Sequence, residues 1–144
     1  MSSSAPSSLP LRPEIGSLDT LTAFIEEFAE RHGLSMADCN AFTLAAEELL
    51  ANTIRHADPP ATEILFTLAP DGLATYADDG PPFDPTSLPE ADTSLPLEQR
   101  KIGGLGIHFI RRTMTTFRYE RLDGRNVTTF GRKLREQGSG IGDQ

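Results

Sequence analysis

The order of elements predicts an α+β member of the α/β class: a two-layer sandwich with a mostly antiparallel sheet covered on one face by three helices. Three observations carry this prediction. Two stretches with helical spacing follow one another early in the chain. Two pairs of short alternating segments are each joined by a tight turn containing Asp-Gly. A third helical stretch, opened by glycines, lies between those pairs.

The 144 residues suffice for one domain with a proper core and are too few for two ordinary ones. Charged residues at 24% and hydrophobic ones at 38% describe a soluble globular protein. A formal charge of −8 argues against direct nucleic-acid binding, which relies on clustered Lys and Arg. The longest basic clusters, Arg111-Arg112 and Arg132-Lys133, are too short for such a patch. No apolar run approaches the ~20 residues of a membrane span, and Met1 to Pro6 lacks the charged and apolar regions of a signal peptide. The one cysteine, Cys39, cannot form an internal disulfide. That fits a reducing compartment, so the expected location is cytoplasmic.

In chain order, residues 1–8 are Ser/Pro-rich and read as a disordered tail. Leu9 to Glu14 reads as a short edge strand, restricted to that role by Pro10 and Pro13. A first helix spans about Leu18 to His32. Leu18, Leu21, Ile25 and Phe28 recur at helical spacing, and Gly33 is placed to stop it. His32, in its last turn, reads as structural, since a cation suits that end of the helix dipole. Ser35-Met36-Ala37-Asp38 resembles a capping box, and Cys39, in the turn that follows, reads as a small packing residue. The second helix is rich in Leu and Ala and closed by Asp58-Pro59-Pro60. At about 100° per residue, Phe42, Ala46, Leu49, Leu50 and Ile54 form one arc facing a core.

From Ala61 to Ala69, Ile64, Phe66 and Leu68 alternate with Glu63, Leu65 and Thr67. Pro70-Asp71-Gly72 is a turn, and Leu73 to Ala77 returns as a second strand, delivering Asp78 to the strand end. Residues 85–102 carry three prolines and scattered acids without periodicity, which predicts a lid or binding loop. A third helix follows the glycines, with Ile107, Ile110 and Met114 in its stripe. Phe117 to Leu122 and Asn126 to Leu134 form two strands around Asp123-Gly124. Residues 9–136 are thus expected to be a single domain, and 137–144 a flexible Gly-rich tail.

Glu48 and Asn52 are i, i+4 neighbours outside the apolar arc of the second helix, with Arg55 and His56 close by. On the helix alone, a solvated amphipathic face explains them. Two later segments change that reading: Asp78-Asp79-Gly80-Pro81-Pro82-Phe83-Asp84 and Gly103-Gly104-Leu105-Gly106-Ile107. Each is weak by itself, and Asp78-Asp79-Gly80 alone is a plain turn. Glu-x-x-x-Asn, Asp-x-Gly-x-Pro and Gly-Gly-Leu-Gly in this order, within about 60 residues, are specific. The chain resembles the GHKL (Bergerat-fold) ATPases, and most closely the small serine kinases that act as bacterial anti-sigma factors. The resemblance runs from about Leu9 to Leu134.

The resemblance implies a Bergerat ATP-binding sandwich with an ATP lid, holding ATP or ADP and Mg²⁺. Glycines let backbone N–H groups at a helix N-terminus approach phosphates, as Gly103, Gly104 and Gly106 would, with Leu105 and Ile107 in the same turn. By resemblance, Asn52 supplies the oxygen ligand of the metal, Asp78 accepts from the adenine amino group, and Gly80 and Pro82 lie against the base. Glu48 matches the position of the presumed catalytic base, one turn before the metal ligand. Glu47 points about 100° away and is assigned to surface or interface. His56 recurs in the family's helix motif and is expected to orient rather than react. Family members place a basic lid residue on the γ-phosphate. Here Ile102 stands beside the glycines, with Arg100 and Lys101 just before it as the available cations.

The resemblance further implies a partner-switching regulator. Such proteins sequester a sigma factor in one state and phosphorylate a Ser or Thr of a STAS-type anti-anti-sigma protein in another. The compact length is expected to stand alone, without the phosphoacceptor hairpin of a sensor kinase or the transducer domain of a gyrase-type ATPase. The acidity suits binding to a basic DNA-binding factor. Homodimerisation is implied by resemblance only. The alternative is a nucleotide-dependent module that sequesters its partner without phosphotransfer.

Overall fold

Alternation sorts the sheet into two faces. Ile64, Phe66, Leu68, Ala74, Tyr76 and Phe130 are buried on one, while Leu65 and Leu73 are exposed on the other. The computed structural model describes residues 5–88 and 104–134. Its elements are β1 (Ser7–Leu11), α1 (Ser17–His32), α2 (Met36–His56), β2 (Ile64–Leu68), β3 (Leu73–Asp78), a 3₁₀ turn (Pro85–Ser87), α3 (Gly104–Thr113), β4 (Thr116–Leu122) and β5 (Arg125–Gly131). The strands form one five-stranded sheet in the order β1-β2-β3-β5-β4, antiparallel at every pairing. The helices contribute Leu21, Ile25 and Phe28 from α1, Phe42, Ala45, Ala46, Leu49 and Leu50 from α2, and Ile107 and Ile110 from α3 to a common core. This is the predicted two-layer α+β sandwich.

The sheet's buried face changes character along its length. At one end Leu68, Ala74, Phe130 and Phe117 stand opposite one another in register. Two rungs further on come Phe66, Tyr76, Thr128 and Tyr119, and then Ile64, Asp78, Asn126 and Arg121. The face that makes the core at one end is therefore polar at the other, and the site lies at the polar end.

Several boundaries differ from those the sequence predicts. Ser7 and Ser8 belong to β1 rather than to a disordered tail, because pairing with β2 begins at Ser7 opposite Leu68, and the Ser8 and Thr67 hydroxyls meet at 2.9 Å. The strand ends at Leu11 rather than Glu14, where Arg12 turns its carbonyl to accept from Ser17 Oγ at 2.7 Å. Ile54, assigned to the inward arc of α2, is 37% exposed. Thr53 takes the inward place in that turn instead, donating to Leu49 O at 3.1 Å and meeting the Tyr76 hydroxyl at 2.8 Å. His32 packs on Phe28 with ring centroids 4.3 Å apart, as a structural residue would. Cys39 is half-buried, and burial pushes its thiol up, in keeping with packing. Both glycine turns adopt positive φ, at Gly72 and at Asp123-Gly124. Residues 89–103, most of the expected lid, and 135–144, with the expected tail, lie outside the described residues.

Ser35 caps α2 by accepting from Asp38 N at 3.1 Å. The Asp38 carboxylate is wholly buried and meets Arg132 Nε, just past β5, at 3.1 Å. Removing one partner of a buried pair strands the other charge. Arg132 keeps a fifth of its side-chain surface exposed, so Asp38→Ala is expected to lower stability by about 2 kcal/mol, below the range for fully buried pairs. Urea denaturation measures this, and a loss well under 1 kcal/mol would contradict the assignment.

Candidate functional site

The second half of α2 carries the polar constellation. Asn52 is 2% exposed. Its Oδ1 accepts from Arg55 Nη2 at 3.0 Å, while its Nδ2 is buried without a hydrogen-bond partner. One turn earlier, Glu48 Oε2 is likewise buried without a hydrogen bond, with Arg55 Nη2 4.0 Å away. Burial raises the Glu48 carboxyl above its ordinary value. Arg55 opposes the shift, as does the neighbouring Asn52 amide, which stands close without completing a hydrogen bond. Buried polar atoms that lack partners are uncommon and demand an account. Here two of them sit side by side.

The start of α3 closes on this pair. A Cβ at Gly106 would lie 2.1 Å from the Glu48 carboxylate carbon, so no side chain fits there with Glu48 in place. Beyond this contact an open groove of about 520 Å³ runs between the helices, lined by Leu18, Leu44, Glu47, Glu48, Ala51, Gly106 and Phe109. Glu47 accepts from Thr22 Oγ1 at 2.9 Å on the groove wall, near the surface as its direction predicts.

At the end of β3, Asp78 is 8% exposed, and its Oδ1 accepts from Gly80 N at 2.9 Å and Asn126 Nδ2 at 3.0 Å. Gly80 lies so close that a Cβ would come within 3.0 Å of Asp78 Oδ1 and 3.3 Å of Ala61. Asp79 points the other way and accepts from the Thr62 and Glu63 backbones at 2.7 and 3.1 Å. The adjacent acids thus divide their roles, one into the site and one locking the turn to the start of β2. Two cavities of about 10 Å³ lie beside Asp78, both lined by Asn52, Thr53, Asp78, Phe83 and Asn126. Each is of a size to hold about one water.

The remaining predicted positions divide. His56 is exposed and stacks on Phe83 with centroids 5.2 Å apart and planes 17° apart. Pro82 is exposed beside the Asp78 turn. Gly104 and Leu105 lie in the first turn of α3. Ile107 is fully buried in the core, so only its backbone is available to a ligand. Gly103, Arg100 and Lys101 lie outside the described residues. Arg111 of α3 donates to Thr86 O at 2.9 Å and to Leu88 O, tying the segment after the Asp78 turn to the helix.

Sequence reasoning missed Asn126, Thr128 and Arg121, which the sheet register brings to Asp78, and the bridging position of Arg55. The legible signal was the alternation of Asn126, Thr128 and Phe130 in β5. An Asn on the inward side of a strand is out of place unless its amide is used.

The residues present fit the nucleotide that the resemblance implies: a buried carboxylate at a glycine turn, a buried carboxamide whose oxygen is held, among the described residues, only by Arg55, and a helix start with no room for a side chain at Gly106. Among the described residues no group of three or more His, Cys, Asp and Glu could hold a metal, so a cation bound at Asn52 would depend on phosphate oxygens and water. No described helix is long and apolar enough to cross a membrane.

Residues 9–132 match the model of the histidine kinase-like ATPase domain. No curated protein matches the chain significantly in sequence. Among solved structures, the fold is similar to that of the RsbU and RsbW domains of Rv1364c from Mycobacterium tuberculosis, with a TM-score of 0.60 and 18% identity. That similarity covers 92% of this chain and 34% of the other, so this chain spans about a third of the length of the chain it matches. The matched region runs from within β1 to the end of β5 and takes in all of the polar groups gathered around Glu48, Asn52 and Asp78. The chain belongs to the histidine kinase-like ATPase domain family, whose members bind nucleotide.

Proposed function

We propose that this protein is an ATP- and Mg²⁺-dependent protein serine/threonine kinase of a bacterial partner-switching system. In this reading it sequesters a sigma factor and phosphorylates a STAS-domain anti-anti-sigma protein. The observation that carries the reading is the pairing of Glu48 and Asn52, each with a buried polar atom left without a partner, against the start of α3.

MgATP supplies the transferable phosphoryl group; the chain's own residues do the positioning. Asn52 Oδ1, now held by Arg55, would be the protein oxygen that holds the cation. Arg55, 3.0 Å from Asn52 and 4.0 Å from Glu48, would then be a cation free to meet the phosphates. It can take the part for which the sequence offered Arg100 and Lys101. The first turn of α3 presents backbone N–H groups to the same phosphates. Asp78 would accept from the base amine, and Phe83, which lines both small cavities, would have to move aside to admit the ring. The groove between the helices lets an acceptor hydroxyl reach Glu48 from the side away from Asn52. Glu48 would orient that hydroxyl and take its proton as the oxygen bonds the γ-phosphorus and the bond to the departing ADP breaks.

The test is incubation with MgATP and a STAS-domain protein from the same genome, followed by mass spectrometry. Phosphoserine or phosphothreonine on the partner is the expected result. A stable, nucleotide-dependent complex with no phosphorylated product would favour sequestration without phosphotransfer instead.

A further inference from the structure

Asn126 makes five hydrogen bonds and lies 4% exposed in the rung of the sheet that holds Asp78. Its Nδ2 donates to Asp78 Oδ1 at 3.0 Å and to Pro81 O at 2.8 Å. Its Oδ1 accepts from Phe83 N at 3.0 Å, the Tyr119 hydroxyl at 2.6 Å and Arg121 Nη1 at 3.1 Å. The amide orientation is fixed by its partners: a backbone carbonyl can meet only the NH₂ end, and a backbone N–H only the oxygen. Arg121 Nη1 also donates to Gly80 O at 2.7 Å, so the network holds the whole turn from Asp78 to Phe83 against β4 and β5.

The consequence falls on the Asp78 carboxylate. Both hydrogen bonds it accepts, from Gly80 N and Asn126 Nδ2, go to Oδ1. Oδ2 makes none among the described residues. A carboxylate with both oxygens free can accept two parallel N–H bonds, and guanine offers such a pair in N1–H and its 2-amino group. Adenine offers the single exocyclic amine beside an acceptor nitrogen. With Oδ1 committed, Asp78 can serve one donor and not two.

Resting on the nucleotide reading above, we propose that Asn126 is a positioning residue that sets base selectivity. It holds Asp78 as a one-oxygen acceptor and so favours adenine over guanine. Asn126 acts through Asp78, and selectivity, a ratio of affinities within one folded variant, separates this role from a merely structural one. A loosened turn weakens both nucleotides together. A released carboxylate weakens ADP and improves the relative standing of GDP.

The experiment is calorimetric titration of the full chain with MgADP and MgGDP, for wild type, Asn126→Ala, Asn126→Asp and Tyr119→Phe. Asn126→Asp keeps the shape and the accepting oxygen but sets an oxygen against Asp78 Oδ1. Tyr119→Phe removes one bond from a half-buried hydroxyl and remains informative if Asn126→Ala fails to fold. Wild type is expected to prefer ADP. The preference is expected to fall by about tenfold or more in both Asn126 variants and by about threefold in Tyr119→Phe. Unchanged preference in the folded variants, with both affinities moving in parallel, overturns the inference and leaves the nucleotide site standing. Failure of folded wild type to bind either nucleotide overturns the reading beneath it, and this inference with it.

Discussion

Glu48→Gln is expected to lower phosphotransfer to the partner by about 10³-fold while leaving nucleotide affinity within about threefold of wild type. The substitution keeps the size of the side chain and its place against Gly106, and removes only the ability to take a proton. The same residue dictates a pH dependence. Burial raises the Glu48 carboxyl, so it is protonated, and useless as a base, at pH values where an exposed glutamate would be ionised. Wild-type rate should therefore fall as pH drops through a midpoint above the ordinary glutamate value. Glu48→Gln should lack that limb. The sign for stability is separate: a folded-state carboxyl raised above its unfolded value opposes folding once ionised, and that penalty is relieved as pH falls through the raised value. Acid should thus silence the enzyme without Glu48 contributing to its unfolding. Phosphotransfer by Glu48→Gln at the wild-type rate would remove this residue from the chemistry.

Gly106→Ala is expected to abolish most phosphotransfer, by about 10²-fold or more, with little change in stability. Two effects compete. Alanine is favoured over glycine in a helix, by about 1 kcal/mol in an interior and by less in the first turn, where Gly106 lies. Against this, the new methyl would stand 2.1 Å from the Glu48 carboxylate carbon. That carboxylate is the far end of a flexible side chain facing an open groove, so it can swing away at modest cost to the fold. The thermal midpoint is expected to hold or rise slightly while Glu48 is displaced from its place against α3. A variant of unchanged activity would show that Glu48 does not work from the position seen here.

The fold was legible because periodicity reports burial. The alternation of Ile64, Phe66 and Leu68 and the stripe of Leu21, Ile25 and Phe28 gave faces that the structure keeps. Errors fell where tertiary needs override periodicity. Ile54 has the hydrophobicity of a core residue, yet it sits where α2 passes over the polar end of the sheet and Thr53 is needed to bond Tyr76. The strand at the N-terminus runs two serines earlier than composition suggests, because an antiparallel neighbour offers them backbone partners.

The site was half legible for a related reason. Glu48, Asn52, Asp78, Gly80 and Gly106 sit in local patterns whose spacing carries meaning. Asn126 lies 48 positions from Asp78 and in no motif; only the β3–β5 register makes them neighbours. Arg55 was visible as a neighbour of Asn52 on the helix, but its bridging of Asn52 and Glu48 depends on a rotamer that no sequence pattern encodes.

In the proposed function, the polar end of this sheet is a nucleotide site with Asn52 at its cation. Calorimetric titration of wild type and Asn52→Ala with ATP and ADP, with and without Mg²⁺, tests it most directly. Wild type is expected to bind ATP in a Mg²⁺-dependent way, and Asn52→Ala to bind it about 10²-fold or more weakly. Absence of binding by pure, folded wild type, or full Mg²⁺-dependent affinity in Asn52→Ala, would contradict it.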